Sequence, residues 1–421
     1  MFIEQQIQNL QRRIKNIEQN PRPEYLKSNK LLYEIELENM LHVKEAWQAG
    51  KPFAWLGHVG GALNRALGFE HHVGGGNRIT DPQRYFDLLV SKFGFPEHSC
   101  DQAMMMLALP LSGEVPLPRL VVGSRNACDP ERWAAMGFAK FAGALFFEVS
   151  KLSSNDYEGL HYAAEQFGEL IEFAEKSIPG IKYDEDRLIE TLEIEQQAYS
   201  YYRESYDLRK MVPCPLSSQD CFRLAVMPQA NYNPGKVLDY CKMYRDELFE
   251  RAEKGIGGVP EEKLRIAWLC TAPFGRSTFD LLTQKGVSMV WFHYGVAAHN
   301  FGVLHTDYGD NLYGQKLTPL EELARLRHWA TNSWGGTSED WVDPLVKVCR
   351  ELKVDAVVDF LQVGCITTKN LKRITAQRLQ EELSIPTLDL EGRQRFTTEA
   401  GTIEMNKKLE EFLDLCIDNK K

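Results

Sequence analysis

Seven short apolar runs, nearly all without polar alternation and most separated by helical stretches, recur along this chain: Phe53-Ala54-Trp55-Leu56, Leu120-Val121-Val122, residues 142–149, Ile266-Ala267-Trp268-Leu269, residues 287–292, Ala356-Val357-Val358-Asp359-Phe360-Leu361 and Thr387-Leu388-Asp389-Leu390. A strand with one wet face alternates, whereas one covered by helices on both faces reads as a continuous apolar run. The pattern therefore predicts an α/β chain with parallel sheets, reached through helical crossovers. At 421 residues the chain is also past the size at which one core stops growing. The expectation is two doubly wound, Rossmann-like parallel-sheet domains with a helical arm and a helical bridge. The division is residues 1–50 for the arm, 51–156 for the first α/β domain, 157–262 for the bridge and 263–421 for the second.

In the arm, Ile3, Ile7, Leu10, Ile14 and Ile17 step by four and three residues, a narrow apolar stripe on one helix that stops before Pro21 and Pro23. Such a stripe lies on its own domain or forms a seam with a partner chain, and the first reading is preferred. Residues 157–209 are charged and periodic, with an interruption near Pro179-Gly180. No repeat or low-complexity segment is present.

Composition excludes several classes of function. The net charge is −10, and no basic run or stripe is available to neutralise phosphates along a duplex, so nucleic acid is not an expected partner. No basic segment leads into an apolar one at the start, and no window approaches 18 uncharged apolar residues, which predicts a cytoplasmic protein with no membrane partner. Nine cysteines, an odd number in a chain this long, leave thiols free for metal or redox chemistry.

Ligands of open α/β sheets bind outside the carboxyl ends of the strands, which directs attention to the residues after each run. Cys128 follows Leu120-Val121-Val122 and precedes Asp129-Pro130, a helix-start signal. Cys365 follows the run ending at Leu361. Cys100 opens the apolar stretch that contains Met104-Met105-Met106, also at a helix start. Their spacing fits no CxxC pattern, so a shared metal site and three unrelated thiols both remain open on spacing alone. Gly57, Gly60 and Gly61 follow the first strand and offer backbone N–H groups to an anionic or carbonyl oxygen, or simply allow tight packing. His58 lies among them, and His293 and Tyr294 end the run 287–292, so that all three are candidates to line a substrate pocket. Cys270 ends another strand and is a possible additional ligand. Cys214, Cys221, Cys241, Cys349 and Cys416 read as structural. The stretch from Gly309 through Gly314 and Lys316 to Thr318 imitates a phosphate loop, but its Lys is one place late and Leu317 separates it from Thr318. ATP hydrolysis by this chain is therefore not expected.

The segments Cys100-Asp101, Ser112-Gly113-Glu114-Val115-Pro116-Leu117-Pro118-Arg119-Leu120-Val121-Val122 and Cys128-Asp129 resemble the core of the 2-hydroxyacyl-CoA dehydratase and ATP-dependent benzoyl-CoA reductase family. Gly180-Ile181-Lys182-Tyr183-Asp184-Glu185-Asp186-Arg187-Leu188, Val363-Gly364-Cys365, Gln380-Glu381-Glu382-Leu383 and Ile385-Pro386-Thr387-Leu388-Asp389-Leu390 are similar to further blocks of that family, so the likeness spans about residues 50–415. The resemblance implies a [4Fe–4S] cluster held by Cys100, Cys128 and Cys365, with one iron open to an acyl-CoA thioester that takes up one electron. It also implies a related second subunit or a homodimer, and a separate ATP-hydrolysing iron–sulfur activator protein. Two departures accompany it. The glutamate that many members carry after the first strand has no counterpart in residues 57–65, and the acidic motif after the last strand reads Asp389-Leu390-Glu391-Gly392-Arg393. A dehydratase is the leading reading; a benzoyl-CoA-type reductase, a double-cubane-type reductase and a non-catalytic partner subunit are the alternatives.

Overall fold

The structure, a computed structural model, describes residues 2–22, 25–72, 81–124, 129–150, 156–223, 233–271, 273, 275–292, 311–312, 314–332, 338–365 and 371–420. Strands β1 (Phe53–Trp55), β2 (Glu70–His71), β3 (Leu120–Ser124) and β4 (Leu145–Val149) form a four-stranded sheet in the order β2-β1-β3-β4. Strands β5 (Leu264–Cys270) and β6 (Val287–Phe292) belong to a second sheet, and β7 (Asn311–Leu312) and β8 (Gln315–Lys316) make a small antiparallel hairpin. The second sheet is completed by β9 (Ala356–Gln362) and β10 (Thr387–Gly392), in the order β10-β9-β5-β6. All neighbours within the two four-stranded sheets are parallel. Counting strands from the start of each sheet, both follow the order second, first, third, fourth. This doubly wound arrangement has its switch point between the first and third strands, at β1/β3 and at β5/β9.

The apolar runs become strands for the reason anticipated. β5, β6 and β9 are buried at every residue, so a polar alternation would have placed unpaired groups in the core. On one face of the first sheet, Ala54, Leu120 and Val122 share a core with Leu160, Phe167 and Leu170 of the Tyr157–Ser177 helix. On the other face, Phe53 and Val121 meet the Asp101–Ser112 and Asp129–Ala142 helices through Met104, Met105, Ala135 and Phe138. The second sheet is covered by the Pro234–Glu253, Ser338–Glu351 and Glu399–Lys420 helices, which contribute Tyr244, Val342 and Leu409 among others.

The arm's stripe lies on its own chain. The Phe2–Gln19 helix buries Phe2, Ile3, Ile7 and Leu10 in one core with Tyr33, Met40 and Val43 of the Asn29–Gln48 helix, and Ile14 and Ile17 pack at the edge of that cluster. Residues 157–262 contain the Tyr157–Ser177, Glu185–Tyr206 and Pro234–Glu253 helices; Asp184 caps the second of these by accepting from the N–H of Arg187 at 3.0 Å.

Three details differ from the sequence reading. The two-residue strand β2, Glu70–His71, carries no apolar run. The run 142–149 is split: its first residue ends a helix, Gly143 turns with φ +64°, and the strand starts at Leu145. The chain also crosses back after β6, because Leu323, Ala324 and Leu326 of the Pro319–Asn332 helix join the first sheet's core. Within the stretch that imitates a phosphate loop, Asn311–Leu312 and Gln315–Lys316 pair as the β7–β8 hairpin, and Gly314 has φ +77°. Thr318 caps the next helix: its N–H donates to Glu321 Oε2 at 2.7 Å and its Oγ1 accepts from the N–H of Glu321 at 3.3 Å. Among the described residues no helix is long and apolar enough to cross a membrane.

Candidate metal centre between the two sheets

Cys100 is the N-cap residue of the Asp101–Ser112 helix, with extended backbone at φ −61° and ψ 129°. It belongs to the first half of the molecule, yet it faces the carboxyl end of β9 in the second. There the strand ends at Gln362 and a tight turn follows, closed by the N–H of Cys365 donating to the Gln362 carbonyl at 3.1 Å. Gly364 in that turn has φ +78°, and a Cβ there would stand 2.4 Å from the Cys100 nitrogen and 2.6 Å from the His98 carbonyl oxygen. Only glycine permits this backbone-to-backbone approach. It brings Cys100 and Cys365 together from opposite halves of the chain, and both remain partly accessible.

The electrostatics at Cys100 are mixed. Loss of solvent pushes its thiol up to about 11; the N–H of Ala103 in the first helical turn pulls it down, while the neighbouring Cys365 pushes it up. The Gln362 amide donates from Nε2 to the Cys100 sulfur at 3.4 Å. A thiol that resists ionising alone, yet is surrounded by N–H donors, suits a thiolate whose charge is neutralised by a bound cation. These two cysteines therefore fit an iron–sulfur group.

Cys128, the third candidate, lies outside the described residues, in the four-residue connection between β3 and the Asp129–Ala142 helix. Among the described residues no set of three metal-ligating side chains is assembled. His293 and Tyr294 also lie outside the described residues, directly after β6. His58 is on the turn Gly57–Val59 at the end of β1, where its side chain is outside the description. Gly60 (φ +93°) and Gly61 are buried in the same connection, and Gly57 is held at φ +53° with the Trp55 ring and the Val122 carbonyl 3.2 Å from where a Cβ would be. At Gly57 the surroundings are close-packed. Cys270 is buried at the end of β5 with φ +62°, and Cys214, Cys221, Cys241 and Cys349 are buried in the second core.

Sequence reasoning missed the groups that fasten the two halves here. Asp101 is fully buried, and its carboxylate accepts from Arg393 Nη1 at 2.6 Å and from the N–H groups of Arg395 and Phe396 at 2.8 and 3.3 Å. Arg393 also donates to the Glu97 carbonyl and lies 5.3 Å from the Phe86 ring centroid. The loop after β10 thus grips the start of the helix that Cys100 caps. Asp359, inside β9, is the other missed group. Burial, the Asp389 carboxylate on the neighbouring strand and the nearby Cys365 push it up to about 7, against the pull of Lys372. No spacing rule marks any of these residues; a polar residue within an apolar run, or close to one end of it, was the available signal.

The profile of the 2-hydroxyglutaryl-CoA dehydratase D-component family matches residues 81–415. The (R)-phenyllactyl-CoA dehydratase alpha subunit of Clostridium sporogenes is 22% identical over 313 residues, which cover 72% of each chain. The matched region begins after β2, takes in β3, β4, Cys100 and Cys365, and ends within the last helix, so it includes both halves of the candidate centre. The chain belongs to the 2-hydroxyglutaryl-CoA dehydratase D-component family.

Proposed function

We propose that this chain is the cluster-bearing subunit of a 2-hydroxyacyl-CoA dehydratase, with Cys100, Cys128 and Cys365 holding a [4Fe–4S] cluster between the two sheets. One observation carries this reading: Cys100 and Cys365 meet across the two halves, with N–H donors turned toward the Cys100 sulfur. When bound, the cluster would supply one-electron chemistry and an open iron for the thioester oxygen. The chain's own residues do the rest. The Gly364 turn and the Asp101–Arg393 grip fix the two thiols. Asp359, placed near Cys365 with a carboxyl that is protonated up to about neutral pH, holds a proton beside the reaction centre where residues 57–65 offer no carboxylate. His58, Gly60, Gly61, His293 and Tyr294, which follow strands β1 and β6, would wall the acyl-CoA pocket.

Membership in a family whose relative is an alpha subunit favours assembly with a second, related subunit. The sequence at residues 309–318, where Lys316 is displaced and Leu317 separates it from Thr318, supports delivery of electrons by a separate ATP-hydrolysing protein. The deciding test is anaerobic purification followed by iron and sulfide counting. About four irons per chain are expected for one cubane cluster, with a large loss in Cys100→Ser, Cys128→Ser and Cys365→Ser and none in Cys416→Ser. Full iron retention in all three variants would overturn the proposal.

A further inference from the structure

At the carboxyl end of the second sheet, three buried groups form one directed chain of hydrogen bonds toward the candidate centre. The Cys270 thiol lies 4.0 Å from Thr271 Oγ1, toward which it donates, and the Thr271 hydroxyl donates to Gln362 Oε1 at 2.6 Å. That bond occupies the oxygen end of the Gln362 amide and leaves its NH2 end turned to the Cys100 sulfur at 3.4 Å. Thr271 and Gln362 are 3% and 1% exposed, so water does not compete for either group. The chain begins at the β5/β9 switch point, where Thr271 follows β5 directly and Gln362 closes β9. It ends on a residue of the other half of the molecule.

We propose that Gln362 is a positioning residue that raises the electron affinity of the metal group bound through Cys100, and that Thr271 fixes the orientation in which it does so. The inference rests on the reading of Cys100 as a cluster ligand. An N–H donor directed at a thiolate ligand stabilises the state with the extra negative charge, which is the reduced state, and so raises the reduction potential. The effect is strengthened by burial, because a hydrogen bond in a low-dielectric interior is not attenuated by water. A glutamine is suited to this: it carries a donor and an acceptor on one rigid plane, so the bond to Thr271 on one side determines what the other side presents. A residue that served packing alone would not need its two ends assigned to different halves of the fold.

The test is an anaerobic redox titration of the full chain, wild type and variants, followed by EPR and visible absorption, with iron counted on each sample. Gln362→Leu removes the donor. Gln362→Glu keeps an acceptor for Thr271 but turns a carboxylate oxygen toward the sulfur. Thr271→Val releases the amide without touching Cys100. The midpoint potential is expected to fall in all three, most in Gln362→Glu, less in Gln362→Leu and least in Thr271→Val, with iron content near wild type. If one variant fails to fold or loses iron, the potentials of the others decide. Unchanged potentials in the iron-retaining variants would overturn the role of Gln362 while leaving Cys100 as a ligand. A wild-type chain that binds no iron would overturn the ligand reading and this inference together.

Discussion

The two sheets share one strand order but not one construction. In the first, β1 has three residues, β2 has two, and β4 is largely half-buried. In the second, β5 and β9 have seven residues each and are buried throughout. The carboxyl ends differ accordingly. The second sheet ends its switch-point strands in a fixed set of groups: Thr271 donates to Gln362 at 2.6 Å, and Gly364 and Cys365 follow in a turn closed on the Gln362 carbonyl at 3.1 Å. The first sends out a glycine-rich connection after β1 and supplies Cys100 from a helix that depends on contacts with the other half. One sheet is a platform and the other is fastened to it. The same topology thus serves two mechanical roles, distinguished by strand length and burial.

The sharpest way to break this relation is at the fastening. Asp101→Ala would leave the Arg393 guanidinium without its carboxylate and two buried N–H groups without an acceptor. Removing one member of a buried pair costs about 3–5 kcal/mol. The expected outcome is a fall in denaturant midpoint of that size together with loss of iron, because the Cys100 turn would no longer be held. Cys416→Ser, on the platform's outer helix, should change neither.

Next in size is the close approach at Gly364. Alanine there must adopt φ +78° and place its Cβ 2.4 Å from a backbone nitrogen across the interface, so something must shift. A cost of about 3 kcal/mol is expected from strain and overpacking combined. Gly57→Ala in the corresponding connection of the first sheet meets atoms at 3.2 Å, within its own half, and should cost less. Comparing the two variants by chemical denaturation and iron retention separates strain within one half from strain between halves.

Much of this architecture was legible in the sequence, for a physical reason. Strands buried on both faces must be apolar throughout, so β3, β5, β6 and β9 were visible as runs, and helices between them implied parallel pairing. β2 was not, since a two-residue edge strand of Glu70 and His71 needs no apolar face. Cys365 was singled out by the rule that sites lie beyond strand ends and Cys100 by its place at a helix start, and it was family likeness that joined the two. Gln362, Asp101 and Arg393 were not. Their meaning comes from partners hundreds of positions away, as in the 292-residue separation between Asp101 and Arg393, and one polar side chain has no periodicity.

A gentler test probes the platform itself. The Asp359 carboxyl sits at about 7 when folded and near its ordinary 3.8 when unfolded. Below about pH 4 both states hold the proton and the group is neutral in effect. As pH rises from there to about 7 the unfolded chain ionises first, so the fold loses stability progressively, and above about 7 the loss is constant. Asp359→Asn should therefore match wild type near pH 4 and be more stable by about 2 kcal/mol at pH 8. This is below the ceiling of about 4 kcal/mol set by the displacement in pKa, because a buried amide needs partners of its own. Equal stability difference at both pH values would remove Asp359 as the source.

The smallest expected effect sharpens that assignment. Lys372 pairs with Asp389 at 2.6 Å, both about half exposed, and exposed pairs of this kind contribute about 0–1 kcal/mol. Its second role is electrostatic: its positive charge pulls Asp359 down while the Asp389 carboxylate pushes it up. Lys372→Gln removes the pull and leaves the push. The overall loss of stability at pH 8 should stay under about 1 kcal/mol, yet the pH at which the Asp359-dependent loss levels off should move upward. In the Asp359→Asn background that displacement has no group to act on and should vanish. Denaturation midpoints measured across pH 4–9 for the two single variants and the double variant test this directly. A displacement that persists in the double variant would assign the pH dependence to Asp389 or another carboxylate at the edge of β10, and would leave the platform without a neutral-range acid beside Cys365.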